Sequence, residues 1–171
     1  MGGLAEIEPD RIERLLQLNI VVLTTLTRIL LPRMIEHKRG RILNVASISA
    51  FQPIPILGLY AASKAFVLSL SESLSEELKG TGVTVTALCP GFTRTDMLDR
   101  AEADESLAGR IPDFMVSEVR EVARNGFDAC MSGKVIDVPG SPNQMMASTV
   151  GLYPRWLVRG VGGLIGRMSK T

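Results

Sequence analysis

The chain has 171 residues, of which 46% are apolar and 22% are charged, so it can bury one globular core and is not a disordered polymer. Its formal net charge of +1 provides no positive field, and we expect no nucleic-acid partner. The cysteines are Cys89 and Cys130, and His37 is the single histidine. These counts exclude a disulfide framework and a Cys/His zinc site, and a Ser-His-Asp triad would have to use His37.

The sequence also predicts where the protein resides. No run of 18 uncharged apolar residues occurs, because the longest candidate, residues 20–31, is interrupted by three threonines and Arg28. We therefore expect no transmembrane span. The N-terminus lacks the basic start and apolar stretch of a secretory signal, so we expect a cytoplasmic protein with reduced thiols.

The first predicted unit is a long helix followed by a strand. Apolar residues recur at three- and four-residue spacing over residues 12–30, with Pro9 suited to the first turn. This helix is predicted to fade over residues 32–37 and to stop at Gly40. The short apolar run 42–46 has little alternation, which is typical of a parallel strand covered on both faces.

The second unit repeats this order after a polar, proline-bearing loop, residues 47–58. The spacing predicts a helix over 60–79 and a strand over 83–88. Four apolar residues of that helix are spaced four apart, namely Phe66, Leu70, Leu74 and Leu78.

The third unit follows a longer connection. Thr95 or Asp96 can cap a short helix from residue 97 onward, and the charged stretch 101–112 is typical of a mobile flap. Ser117 is predicted to cap a helix to Met131 that ends at Gly133, followed by a strand over 134–138. Three alternating helices and strands predict a single α/β domain with a parallel sheet.

Tyr60 and Lys64 are the first candidate catalytic residues. They lie four apart on a predicted helix and therefore share one face. An ammonium beside a phenol favours tyrosinate, so we expect Lys64 to lower the pKa of Tyr60 and make it a general acid or base. The same pair is also found on solvated helix faces.

Two further polar residues are predicted near this pair. Ser47 follows the first strand at its carboxyl end, where open parallel sheets place ligands, and it can hydrogen-bond a substrate carbonyl beside Tyr60. The alternative is an ordinary loop or cap serine. Asn19 lies on the apolar stripe of the first helix, either as a satisfied core amide or as the holder of a water linked to Lys64.

Three motifs follow one another along the chain, namely Asn44-Val45-Ala46-Ser47, Tyr60-Ala61-Ala62-Ser63-Lys64-Ala65 and Cys89-Pro90-Gly91-Phe92-Thr93-Arg94-Thr95. In this order they resemble signatures of the short-chain dehydrogenases/reductases, and Ser47 precedes Tyr60 by thirteen residues. Residues 134–154 are similar to the broad-specificity bacterial reductases of that family. The resemblance implies a Rossmann-like, doubly wound parallel sheet.

The resemblance also implies roles. Tyr60 would be the catalytic acid/base, Lys64 would lower its pKa and hold the ribose, Ser47 would position substrate, and Asn19 would anchor a proton-relay water. It implies NAD(P), with NADP favoured, and reversible hydride transfer to a carbonyl or alcohol substrate, with a homo-oligomer as the full-length form. Four residues match the loop that approaches the nicotinamide: Pro90, Gly91, Thr93 and Thr95.

The family's glycine-rich turn, Thr-Gly-x-x-x-Gly-x-Gly, is missing from this sequence. The chain resembles only the C-terminal two thirds of the family domain, with the first four strands absent, so we expect strand 42–46 to have an exposed apolar edge. Two hypotheses follow: the catalytic half of a working reductase, or a non-catalytic fragment serving as an interaction or dimerisation module. The module would bury Phe66, Leu70 and Leu74 against a partner.

The remaining predictions concern substrate and tail. Five apolar residues in two loops predict a mostly hydrophobic substrate, namely Phe51, Ile54, Ile56, Phe114 and Met115. Residues 152–171 form a basic amphipathic tail that could lie on an anionic membrane surface. Because glycines weaken any helix there, packing over the substrate cleft or a neighbouring subunit is the preferred interpretation.

Overall fold

A computed structural model of the chain describes residues 3–96, 116–150, 153–154 and 156–160. A six-residue π-helix, Gln17–Val22, joins α1 to α2, and 3-10 turns occupy Leu4–Glu6 and Ile48–Phe51. Helices α1 to α5 are Pro9–Leu16, Leu23–Glu36, Gly58–Glu77, Val119–Ser132 and Ser141–Val150. Strands β1 to β5 are Gly40–Val45, Val83–Leu88, Phe92–Thr93, Val116–Ser117 and Ile136–Asp137.

Three strands form a parallel sheet in the order β1-β2-β5. The register pairs Gly40 with Val83 at one end, Val45 with Leu88 at the other, and Leu88 with Asp137. Strands β3 and β4 form a separate parallel pair of two residues each. Helix α3 connects β1 to β2, and α4 lies between β2 and β5 in the chain, so the predicted α/β alternation is confirmed.

Helices cover both faces of this sheet. On one face, Val85 and Ala87 of β2 belong to the core clusters that include Val67 and Leu74 of α3. On the other face, Leu88 approaches α4 so closely that a Cβ on Gly126 would lie 2.6 Å from Leu88 Cδ2. Alternating strand residues therefore pack against different helices, which is the doubly wound, Rossmann-like arrangement.

Several predicted boundaries are corrected. The first helix continues through Pro32 to Glu36, and Lys38 makes the left-handed turn with φ 49°. Gly40 is not a helix stop but the first residue of β1, where a Cβ would lie 2.7 Å from Met34 Cβ. The N-cap of α4 is Glu118 rather than Ser117, whereas Gly133 ends the helix as predicted, with φ 74°.

The third strand is shorter than the predicted range 134–138. Lys134 N still donates to Ala129 O at the end of α4, so residue 134 belongs to the helix terminus and pairing begins only at Ile136. The expected short helix from residue 97, the flap 101–112, Phe114, Met115 and most of the tail 152–171 lie outside the described residues. Of the tail, residues 156–160 are described as helical.

The first helix bears on the prediction that no segment spans a membrane. From Pro9 to Glu36 it has 28 residues and a mean hydropathy of 1.6 in an 18-residue window, long and apolar enough to cross a membrane by length and composition. An uncharged run of 18 residues is a stricter criterion than this one, because the window tolerates isolated charges. Core helices satisfy the same criterion, although only 6% of the window is buried in this structure.

The open side of β1 is the least protected part of the described fold. Within the described ranges, β2 is the only strand that pairs with β1, and the β1 side chains of Leu43 and Val45 are 37% and 50% exposed. Unpaired edges with apolar side chains recruit other chains. The long helix adds a further exposed apolar surface, which includes Leu18, Leu26, Ile29 and Leu30.

We predict that the 171-residue chain expressed alone self-associates through β1. Val45→Lys should reduce association because a charged side chain on an edge strand disfavours strand pairing. The control is Met145→Lys, which places the same charge at an exposed methionine on α5. Light scattering and thermal unfolding are the measurements. The prediction is contradicted if the chain is a soluble monomer with a sharp unfolding transition, or if Met145→Lys reduces association as much as Val45→Lys does.

Candidate active site

The loops after the three sheet strands meet at one edge of the sheet. Ser47 lies two residues after β1, and Pro90 lies two residues after β2. The two loops are tied together because Ile48 N donates to Pro90 O at 2.9 Å. Because the strands are parallel, their carboxyl ends meet here, which is where open α/β sheets bind ligands.

Ser47 links the β1 loop to Tyr60. It is the N-cap of the 3-10 turn Ile48–Phe51, and its Oγ accepts from Ser49 N at 3.1 Å. Its hydroxyl also forms a hydrogen bond with the half-buried phenol of Tyr60. Residues 13 positions apart in the sequence are thus brought together, as the sequence predicted.

The pKa of Tyr60 differs from the expectation. Burial raises the pKa of the phenol because tyrosinate loses hydration, and the hydrogen bond from Ser47 opposes this rise. The prediction that Lys64 lowers the pKa below its usual range is therefore wrong for this structure. The four-residue spacing predicts that Lys64 lies beside Tyr60, but it does not predict the desolvation of the phenol, which depends on tertiary packing.

Lys64 lies beside Tyr60 and is also held by β1. Its Nζ lies 5.7 Å from the centroid of the Tyr60 ring and donates to Val45 O at 2.9 Å. Burial lowers the pKa of this ammonium. Since Ala46 N bonds to Leu88 O on the β2 side, Val45 directs its C=O to the open side of β1, and Lys64 satisfies that acceptor.

Asn19 reaches this group indirectly. Its Nδ2 donates to Ser63 Oγ at 3.0 Å, and Ser63 Oγ donates to Tyr60 O at 2.8 Å. Asn19 lies in the π-helical segment between α1 and α2. The structure thus connects Asn19 to the main chain of Tyr60 through Ser63, a residue that the sequence analysis did not select although it precedes Lys64 directly.

A second pair of the same construction anchors α3 further along. Asn44 Nδ2 donates to Ser71 Oγ at 2.9 Å, and Ser71 Oγ donates to Val67 O at 2.7 Å. Ser63 and Ser71 are both buried. The first pair joins α3 to the long helix, and the second joins α3 to β1, so the two pairs fix the helix that carries Tyr60 and Lys64.

The loop after β2 folds back on itself. Thr93 Oγ1 donates to Gly91 O at 3.2 Å, and Thr95 Oγ1 donates to Thr93 O at 3.3 Å. Arg94 N donates to Ser117 O at 3.0 Å, which attaches the loop to β4. The loop that contains the four predicted coenzyme residues is therefore ordered and lies next to the Ser47 loop.

A cavity of about 610 Å³ lies between residues 49–55 and one side of α3. Phe51 and Ile54, which the sequence predicted to contact substrate, line it together with the small residues Ala61 and Ala65. Arg159 also lines this cavity. The described part of the predicted tail thus lies near the expected substrate loop.

The buried thiol of Cys89 has no catalytic character. Burial raises its pKa to about 12, so the thiol remains protonated and unreactive at neutral pH. Cys130 is a free, buried cysteine as well.

Comparison with known proteins identifies the family. A family model described as short chain dehydrogenase matches residues 1–106. The chain belongs to the short-chain dehydrogenase family. Among curated relatives, the very-long-chain 3-oxoacyl-CoA reductase of Rattus norvegicus is 32% identical over 155 residues, which cover 86% of this chain and 44% of that protein.

Solved structures agree with this assignment. The short-chain dehydrogenase from Sphingobium yanoikuyae in complex with NADPH matches with a TM-score of 0.72 and 31% identity, over 88% of this chain and 59% of that one. A bulky-bulky ketone specific alcohol dehydrogenase from Comamonas testosteroni matches with a TM-score of 0.67 and 28% identity, over 89% and 57%. The chain spans about half the length of these relatives.

We predict that the two serines of α3 contribute similarly to stability. Ser63→Ala or Ser71→Ala leaves the amide of Asn19 or Asn44 without its acceptor, which should lower the free energy of unfolding by about 1–3 kcal/mol. Urea unfolding of each variant, with Ser69→Ala on the exposed side of α3 as the control, measures this. Equal stability of the Ser63→Ala and Ser69→Ala variants would contradict the role of the Asn19 pair.

Proposed function

We propose that this chain provides the catalytic half of an NAD(P)-dependent reductase that interconverts a carbonyl and an alcohol on a mostly apolar substrate. The observation that carries the proposal is the convergence of Ser47, Tyr60 and Lys64 at the carboxyl end of β1. A hydroxyl donor, a half-buried phenol and a neighbouring ammonium form a site that can deliver a proton to a carbonyl oxygen.

The residues present fit only part of the coenzyme. Loop 90–95 lies beside Ser47, because Pro90 O accepts from Ile48 N at 2.9 Å. Pro90, Gly91, Thr93 and Thr95, with Tyr60 and Lys64, would hold the nicotinamide and its ribose. The glycine-rich turn that would hold the pyrophosphate is not in the sequence.

When bound, nicotinamide supplies or accepts a hydride at the substrate carbon. The chain's own residues handle the proton. The raised pKa keeps Tyr60 a phenol at neutral pH, so it can donate its proton to the carbonyl oxygen, while Ser47 orients that oxygen by a hydrogen bond. The ammonium of Lys64 then stabilises the tyrosinate.

Asn19 acts through Ser63 in this proposal. Its side chain holds the turn of α3 that presents Tyr60 and Lys64. The water that the family resemblance assigns to Asn19 remains a prediction. Cytoplasmic location and a homo-oligomeric full-length form also remain predictions.

The proposed substrate class is an apolar ketone, with 3-oxoacyl thioesters as the first compounds to test. The cavity beside α3 is lined mostly by apolar and small side chains. Names of two similar proteins, a 3-oxoacyl-CoA reductase and a bulky-bulky ketone specific dehydrogenase, support that choice. We favour NADPH, which is bound in the Sphingobium yanoikuyae structure.

The alternative, a dimerisation module, is less well supported. Leu74 is buried in the core beside Val83 and Val85, and Leu70 packs against the same cluster. Only Phe66 of the three expected interface residues is exposed. The face required for that module is therefore already used by the chain's own sheet.

We predict that Tyr60→Phe lowers the kcat for ketone reduction by about 100-fold or more, because the variant has no proton to donate. The protein for this assay, termed the completed protein, is the chain joined to the nucleotide-binding half encoded upstream of Met1 or, if none is encoded there, to that of the Sphingobium yanoikuyae relative. Tyr153→Phe, at the other, exposed tyrosine, is the matched control. Near-normal turnover of Tyr60→Phe would refute the assignment.

We also predict that the 171-residue chain alone binds NADPH weakly, because no glycine-rich turn cradles the pyrophosphate. Titration followed by nucleotide fluorescence measures this, with the completed protein as the positive control. A dissociation constant in the low micromolar range, about −8 kcal/mol, for the chain alone would contradict this prediction, because the chain would then bind the coenzyme tightly without that turn.

A further inference from the structure

Two Pro-Gly turns face each other at the carboxyl edge of the sheet. The register pairs Leu88 with Asp137, so continuing it places Pro90 opposite Pro139 and Gly91 opposite Gly140. The ladder itself stops there. Cys89 N donates to Asp137 O at 2.7 Å, but Pro139 has no N–H to donate to Cys89 O and continue the pattern.

The side chain of Asn143 occupies the place where the ladder ends. It lies in the first turn of α5 and is only 5% exposed, whereas the neighbouring Gln144 is exposed. Its Nδ2 donates to Pro139 O at 2.9 Å. A buried amide in the first turn of a largely exposed helix indicates a specific contact.

That contact reaches the opposite turn. A Cβ on Gly91 would lie 2.8 Å from Asn143 Cγ, and a Cβ on Gly140 would lie 3.2 Å from Asn143 Nδ2. Gly91 does not have a left-handed backbone, so position 91 needs a glycine because of this close approach and not because of its φ angle. One amide therefore packs against both turns and gives Pro139 O a donor at the point where the ladder has ended.

The Gly91 turn in turn contacts the catalytic group. Pro90 O accepts from Ile48 N at 2.9 Å, and Ser47, the preceding residue, is hydrogen-bonded to Tyr60. A shift of the turn thus alters the distance between loop 90–95 and the Ser47 and Tyr60 side chains.

We propose that Asn143 is a positioning residue that fixes loop 90–95 against the Ser47 loop, and so sets where the nicotinamide lies relative to Tyr60. This inference rests on the proposed function for its catalytic consequence. Its structural part, the contact between Asn143 and the Gly91 turn, stands on the packing alone.

Gln144 provides a matched control. Its Nε2 donates to Val138 O at 2.9 Å, so, like Asn143, it makes an amide-to-carbonyl hydrogen bond to the segment that follows β5. The three atoms nearest to the Gly91 Cβ position all belong to Asn143 and none belongs to Gln144. A purely structural role at the start of α5 would give similar effects for Asn143→Ala and Gln144→Ala.

The first experiment compares Asn143→Ala and Gln144→Ala in the completed protein by hydrogen exchange without coenzyme. Asn143→Ala should speed exchange of the amides at 91–95 by about tenfold, and Gln144→Ala should not. The second measurement is steady-state kinetics: Asn143→Ala should lower kcat/KM for NADPH by about 100-fold, whereas Gln144→Ala should stay within about threefold of the unchanged protein.

The outcomes separate the two proposals. Unchanged exchange at 91–95, or equal effects of the two variants, would overturn the role of Asn143. If the unchanged completed protein reduces no ketone, the proposed function fails, and the exchange measurement still decides whether Asn143 holds the loop.

A double substitution tests the contact itself. Gly91→Ala should reduce kcat/KM strongly because the new Cβ meets the Asn143 amide. In an Asn143→Ala background the Asn143 amide is absent, so adding Gly91→Ala should lower kcat/KM by less than a further threefold. If the double substitution lowers kcat/KM by the product of the two single effects, the Cβ at position 91 meets a neighbour other than Asn143, and the proposal is contradicted.

Discussion

The arrangement of the site depends on how two asparagine amides hold α3. This helix carries both Tyr60 and Lys64, and buried serine hydroxyls tie it to the long helix and to β1. Each hydroxyl accepts from an asparagine and donates to a carbonyl of its own helix. The hydroxyls are satisfied in both directions, so displacing the helix would leave buried polar groups unpaired, at a cost that apolar packing alone does not impose.

Much of the fold was predictable because it follows local periodicity. The predicted strand 83–88 coincides with β2, and the predicted helix 60–79 differs from Gly58–Glu77 by two residues at each end. Ser47, Tyr60 and Lys64 could be selected because helical spacing and the position after a strand are local signals. Their convergence followed from the parallel order of the strands.

The remaining features depend on contacts between distant parts of the chain. Asn19 and Ser63 are 44 residues apart, and no periodic pattern pairs them. The direction of the Tyr60 pKa shift depends on burial, which a four-residue spacing cannot reveal. The long helix is apolar enough for a membrane span by composition because it keeps its apolar character across isolated charges, which a search for uncharged runs does not register.

The hydrogen bond from Lys64 to Val45 O couples the sheet to the charge at the site. That carbonyl faces the open side of β1, where an adjoining strand would offer its own backbone N–H. An incoming N–H and the ammonium would therefore share one carbonyl oxygen, and each would weaken the other's hydrogen bond. Pairing of a further strand with β1 and the attachment of Lys64 to the backbone are thus thermodynamically linked.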